Sequence, residues 1–339
     1  MTSRSSVVSN WGAVIATQNL PRGAEMDLVS RWLLIIRASV FPMTLCSGLI
    51  GGLLAVHSPD TSFGCFFLAL VGLVVAHAAN NMINDLFDVI GGVDTAGYVR
   101  TVYAPHPILS GLISKQGLIA AILVANVIDL AILVQLVSLR GWPVLVFALS
   151  GLFISVFYVA PPLKLKHRGL GEPGVAIVWG PLMIGGTYFV TTGSAPPWVF
   201  LASLPYAMLV TTVLFGKHVD KLDSDAAKGI RTLPVILGRE RALSWTRAMM
   251  AAYFVLVALL VVTGVVSAWC LLVVAAIPRL LETLETFRKP PPDGPPPGYP
   301  IWPLWYVAWA FRLNRRAGGL FVLGLLADCL IPLHVSLHP

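Results

Sequence analysis

Apolar stretches of about twenty residues recur along the chain, at roughly 32–57, 64–87, 117–138, 142–160, 173–192, 198–217, 242–263, 267–286 and 318–337. A helix needs about 20 apolar residues to cross a bilayer, so these nine stretches predict an all-α, polytopic membrane protein. Backbone polar groups in hydrocarbon must be satisfied within the segment, and helices do this. Composition agrees, with 57% of residues hydrophobic, 12% charged and a mean hydropathy of +0.81. A soluble domain carries about 25% charged residues.

Charge placement sets the expected orientation. The short connections near 58–63, 139–141, 193–197 and 264–266 hold one basic residue, Arg140. The other Lys and Arg lie in the N-terminal segment, in the loops near 88–116, 161–172, 218–241 and 287–317, or at the membrane edges beside them. The positive-inside rule then places the N-terminus and the long loops in the cytoplasm and the C-terminus outside. The expected location is the cell (inner/plasma) membrane. The formal charge of +7 has this topological origin, and no nucleic-acid partner is expected. No basic leader with an A-x-A site precedes the first stretch, so no cleaved signal peptide is expected.

Cys46, Cys65, Cys270 and Cys329 sit singly in apolar stretches, which predicts small packed hydrophobes and no disulfides. Residues 1–30 predict a poorly ordered cytoplasmic leader, followed by a single domain at 31–339. The run Lys289–Gly298 is too rich in proline for a helix and predicts a stiff extended linker. The aromatic segment Trp302–Phe311 after it predicts an interfacial helix or an extension of the last hairpin.

Two acidic clusters sit at the ends of apolar stretches. The first contains Asn80, Asn81, Asn84, Asp85 and Asp88, with Asp94 further on; the second contains Asp220, Asp223 and Asp225, followed by Lys228 and Arg231. They hold six of the chain's 16 acidic residues. Carboxylates at a membrane edge are costly and mark function by default. Asn84 and Asp88, four apart, share a helix face, and Gly91-Gly92 lets Asp94 fold back toward it. Asp220 and Asp223, three apart, are likewise neighbours on a helix. Mg²⁺ takes oxygen ligands from one or two carboxylates plus substrate phosphates. Two such clusters facing each other therefore suggest Mg²⁺ holding a phosphorylated ligand. Asn and Asp also favour caps and turns, the competing structural role.

A third constellation runs from Tyr158 to Glu172 and includes Lys164, Lys166 and Arg168, cations suited to diphosphate oxygens. A basic loop here is also what topology alone requires. Arg37, His77, Asn80, Asp129 and Asp328 are polar residues within the stretches. Arg37 is a candidate substrate contact; His77 suits either an acceptor or a satisfied interior position.

These residues resemble the UbiA superfamily of intramembrane prenyltransferases over roughly residues 30–335. Asn84-Asp85-Leu86-Phe87-Asp88 with Gly92 and Asp94 is similar to the first Asp-rich motif, in the form typical of the 1,4-dihydroxy-2-naphthoate (menaquinone-pathway) branch. Tyr158–Glu172 resembles the family's Tyr/Lys loop. Asp220, Asp225, Gly229, Thr232 and Leu233 resemble the second motif. The motif's two Asp stand five apart here instead of four, Ile230 replaces a Lys, and His106-Pro107 stands where many members have Arg-Pro.

The resemblance implies a nine-helix bundle with Mg²⁺ held by Asn84, Asp85, Asp88, Asp94, Asp220 and Asp225, with Asp223 as an alternative. It implies diphosphate contacts from Arg37, Tyr158, Lys164, Lys166, Lys228 and Arg231. The expected substrates are an isoprenyl diphosphate and an aromatic acceptor, with His77, Asn80 and Asn81 as acceptor contacts. Other acceptors or terpene cyclisation are alternatives within the family. A transporter would show internal repeats with helices broken near the midplane, and a scaffold would leave both acidic clusters unexplained.

Overall fold

The computed structural model describes residues 7–333. The first six residues of the expected leader and residues 334–337 of the last expected span lie outside them. The described chain is all helical. Its main helices are α1 (Val7–Thr17), α2 (Leu28–Ile35), α3 (Phe41–Leu54), α4 (Phe63–Ile90), α5 (Val99–Tyr103), α6 (Lys115–Arg140) and α7 (Pro143–Phe157). They continue as α8 (Gly171–Ile177), α9 (Gly186–Thr192), α10 (Pro197–Asp220), α11 (Leu222–Ala227), α12 (Leu233–Leu237), α13 (Arg239–Val262), α14 (Ile277–Thr286) and α15 (Tyr306–Leu330). A π-helical turn, Val178–Gly185, joins α8 to α9 around Pro181.

Helices occupy all nine expected stretches. Among the described residues, five helices are long and apolar enough to cross a membrane: α4, α6, the continuous α8–α9 unit, α10 and α13. The pair α2 and α3, bent by 63°, can make a sixth. The other three stretches hold the 15-residue α7, a 3-10 segment running into α14, and α15 with Arg312, Arg315 and Arg316 in its first half.

One expectation changes here, and a second settles on one of its two alternatives, the extension of the last hairpin. Residues 7–17, expected to be poorly ordered, form α1, whose Val14 is fully buried. The Gln18 amide after it donates to Leu34 O at 2.7 Å, and Arg315 donates to Ile15 O at 3.3 Å. The aromatic segment after the proline run enters the last helix, because α15 starts at Tyr306 instead of near 318.

Helix length places the acidic motif. At 1.5 Å per residue the 28-residue α4 is about 42 Å long, beyond the ~30 Å of a hydrocarbon core. Its last turns, carrying Asn84 and Asp88, therefore reach the membrane edge. Ser62 caps the other end by accepting from Cys65 N. The α10 helix stands in the main core, where Tyr206 and Tyr253 are fully buried and donate to Met43 O (3.3 Å) and Ala317 O (3.0 Å). These bonds satisfy hydroxyls that would be costly to bury alone.

Small residues allow the close crossings typical of membrane bundles. A Cβ on Gly324 would lie 2.6 Å from Trp269 O and 2.8 Å from Cys270 Cα, whereas one on Gly319 would meet nothing within 4 Å. Gly324→Val should therefore lower the thermal midpoint of the detergent-solubilised protein, by roughly 1–3 kcal/mol of overpacking. Gly319→Ala should leave the midpoint unchanged.

Candidate active site

The first acidic motif takes the expected shape. Gly92, at φ +69°, ends α4 in a left-handed turn that glycine adopts without strain. The amides of Val93 and Asp94 then fold back onto Asp88 O, at 2.8 and 2.9 Å. Asp94 is thereby buried beside Asp85, with His106 between them.

Asp85 sits at the centre of a buried charge cluster. Arg37 makes a bidentate contact to it, and Arg100 adds Nε–Oδ1 at 3.2 Å and a second nitrogen to Oδ2 at 3.3 Å. Arg37 reaches this position from the α2–α3 break, where its own backbone is left-handed at φ +53°. His106 Nδ1 accepts from the amides of Ile108 and Leu109, so the ring proton lies on Nε2. That nitrogen lies 3.5 Å from Asp85 and 3.3 Å from Asp94. Burial pushes the Asp94 carboxyl up, but His106, Arg100 and Arg37 outweigh it and hold it below the usual carboxylate range.

Asp88, one turn from Asn84, is gripped by Lys166 Nζ at 2.8 and 2.7 Å. The turn carrying Lys166 is anchored by its amide bond to Tyr158 O at 2.9 Å. Glu172 fixes the loop further: it pairs with His218 at 2.6 Å and accepts from Leu233 N at 3.4 Å. The Tyr/Lys loop, the end of α10 and the second acidic loop are thus joined.

The second cluster departs from expectation. Asp220 turns away and accepts from Tyr306 N (2.9 Å) and Val307 N (3.0 Å), capping α15. Asp223 is exposed and pairs with Arg239 at 2.7 Å. Of the three, Asp225 alone is buried, beside Lys221. It accepts from the Tyr98 hydroxyl and lies 3.3 Å from Lys221 Nζ. Burial and the Asp225 charge raise the Tyr98 phenol, which stays a donor.

Among the cations, Lys228 is spent on the backbone of Gly92 and Val93 and on Thr95. Arg231 is exposed, in a backbone bridge to Arg168, and Lys164 does not line the pocket described next. Arg100, Lys217 and Lys221 do line it; the two lysines interleave in sequence with the second acidic cluster, whereas Arg100 was not expected there.

That pocket is small and polar. Asn84, Asp88 and Asp94 line it together with Lys166, which is paired to Asp88, and with Lys217, Lys221, Arg37 and Arg100. It opens into a long apolar cavity of about 700 Å³, since Arg37, Asn84, Tyr158 and Lys217 line both. The cavity follows α4 from Asn84 to Ala69, about 22 Å by helical rise. His77, Asn80 and Asn81 lie on its wall with partners of their own: Thr44 at 2.7 Å, Ser155 at 2.8 Å and Ile36 O at 3.0 Å.

The donor set suits a hard divalent cation. Asn84 Oδ1 is buried without a hydrogen-bond partner, and with Asp88 and Asp94 it offers the all-oxygen surroundings that Mg²⁺ requires. Asp85 lies behind them, committed to its two arginines.

Removing one partner of a buried ion pair leaves an uncompensated charge, at a cost of roughly 3–5 kcal/mol. Asp85→Ala should lower the thermal midpoint accordingly, and Asp223→Ala should not move it. Equal midpoints for the two variants would refute the central position of Asp85.

The model of the UbiA prenyltransferase family matches residues 44–296. The 1,4-dihydroxy-2-naphthoate octaprenyltransferase of Bacillus subtilis is 25% identical over 246 residues, covering 70% of this chain and 76% of that protein. A UbiA homolog from Aeropyrum pernix has the same fold at a TM-score of 0.65 and 19% identity, over 86% of this chain and 98% of its own. A UbiA homolog from Archaeoglobus fulgidus, bound to GPP and Mg²⁺, aligns at 0.61 and 17% identity over 89% of this chain and 100% of its own. A polar head pocket opening into an apolar cavity, on this fold and with this family match, makes the chain a multi-pass membrane prenyltransferase belonging to the UbiA family.

Proposed function

We propose that the protein transfers a polyprenyl group from an isoprenyl diphosphate to an aromatic acceptor, 1,4-dihydroxy-2-naphthoate, in menaquinone biosynthesis. The observation that carries the reading is the junction of the two cavities. A pocket of cations and carboxylates fits a diphosphate, and the apolar channel along α4 fits its hydrocarbon tail. The acceptor assignment draws on the naphthoate enzyme of Bacillus subtilis and on the spacing of Asn84, Asp88 and Asp94. The head pocket faces the cytoplasm by the distribution of basic loops.

Asn84, Asp88 and Asp94 would hold Mg²⁺, which when bound supplies electrophilic charge against the diphosphate. Lys166 and Lys217 meet the diphosphate oxygens through charge-assisted hydrogen bonds, with Arg37 and Arg100 behind them. The bond from the allylic carbon to oxygen breaks with its electron pair leaving on diphosphate. The electron-rich ring carbon then bonds to that allylic carbon, and with a 2-carboxyl acceptor the ring releases carbon dioxide. The apolar wall keeps water from the reacting carbon.

Membranes containing the protein, Mg²⁺ and a radiolabelled isoprenyl diphosphate should yield a prenylated naphthoquinol. Asp88→Ala should lower the rate by roughly 100-fold or more, the scale of losing a preorganised electrostatic group. Asp223→Ala, on the exposed face, should stay within about threefold of wild type, less than 1 kcal/mol. A product only with 4-hydroxybenzoate would overturn the acceptor assignment, and transfer unaffected by chelation or by Asp88→Ala would overturn the site.

A further inference from the structure

The second acidic cluster brings the head pocket one lysine, Lys221, paired to the buried Asp225, where two or more carboxylates were expected. Lys221 caps the C-terminal end of α10, is 6% exposed, and lines the same pocket as Asp88, Asp94 and Lys166. Its ammonium is seated 3.3 Å from Asp225 Oδ1 and 4.7 Å from the Tyr98 ring centroid, which favours a cation on the aromatic face. Asp225 is the residue four positions on, one helical turn away. The pair therefore fills the place a two-carboxylate metal site would take. Asp220 and Asp223, the other carboxylates of the cluster, are committed to α15 and Arg239.

Charge balance points the same way. Lys217 and Lys221, at the end of α10, both line the pocket, and Lys166, paired to Asp88, adds a third cation. A second divalent ion placed there would meet like charges a few ångströms away, which is unfavourable at any dielectric. A diphosphate is compensated by those ammonium groups directly.

We propose that the head pocket takes its diphosphate with a single divalent cation, on the Asn84–Asp88–Asp94 side, and that the Lys221 ammonium seated on Asp225 supplies the counter-charge on the α10 side. This rests on the isoprenyl diphosphate reading above and deepens it. Lys221 is then a substrate-binding residue, and Asp225 with Tyr98 positions it.

The test uses the purified full-length protein in nanodiscs, a non-hydrolysable farnesyl thiodiphosphate and Mn²⁺, with bound metal counted by electron paramagnetic resonance and ligand affinity by calorimetry. Wild type should bind one Mn²⁺ per ligand. Lys221→Met keeps the aliphatic stem against Tyr98 and removes the charge. It should weaken ligand binding by roughly 10- to 100-fold, the range of a charge-assisted hydrogen bond, without changing the metal count. Lys221→Arg should stay within about threefold of wild type, well under one tenfold step of 1.4 kcal/mol, and Lys221→Asp should gain a second Mn²⁺. Two Mn²⁺ in wild type, or undiminished affinity in Lys221→Met, would overturn the inference while leaving the diphosphate site intact. Failure of wild type to bind the ligand at all would overturn the functional reading with it.

Discussion

A carboxylate fully removed from water must be answered by positive charge, and the way Asp85 is answered organises this molecule. Arg37 comes from the break between α2 and α3, Arg100 from α5, and His106 from the loop before α6. Three separate parts of the chain are thereby pinned to the end of α4. The desolvation cost of such a cluster is recovered only when every partner is in place, so the cluster acts as a single unit. It fixes the rotation of α4 and so directs Asn84 and Asp88 into the pocket.

With that end of α4 fixed, the remaining chemistry follows from opposed surroundings at the two ends of one cavity. Charged groups gather at the membrane edge, where water and the long loops meet. The wall beyond them is apolar along α4, α6 and α7. Such a junction binds a molecule with an anionic head and a hydrocarbon tail, and it separates the leaving group from the carbon that reacts. The interlock of Glu172, His218 and Leu233 N holds the cationic loop against the acidic ones, so the head pocket is preorganised.

The helical stretches and the first acidic motif were legible because their signals are local. Length and hydropathy specify a helix in a membrane, and Asn84, Asp88 and Gly92 act through helical spacing and a left-handed turn. The second cluster was not legible in the same way. Which of its carboxylates faces the pocket depends on α10 ending at Asp220, one residue before Lys221, and on α15 needing a cap. Spacing shows Asp220 and Asp223 as helix neighbours, but the chain turns between them. Arg100 is isolated in sequence from both acidic clusters and acquires its role only through tertiary contact. The order of residues 7–17 was hidden for a similar reason, since that helix is held by contacts to Leu34 and Arg315.

The central claim is that one polar pocket at the end of α4 holds the diphosphate of a prenyl donor whose tail runs along the cavity. An electron-cryomicroscopy structure of the protein in nanodiscs with a non-hydrolysable isoprenyl thiodiphosphate and Mg²⁺ addresses it most directly. The account predicts the diphosphate in the pocket lined by Lys166, Lys217 and Lys221, joined to Asn84, Asp88 and Asp94 through Mg²⁺, with the chain passing His77 toward Ala69. A ligand seated instead beside Asp223 and Arg231, or a tail lying outside the α4 cavity, would contradict it.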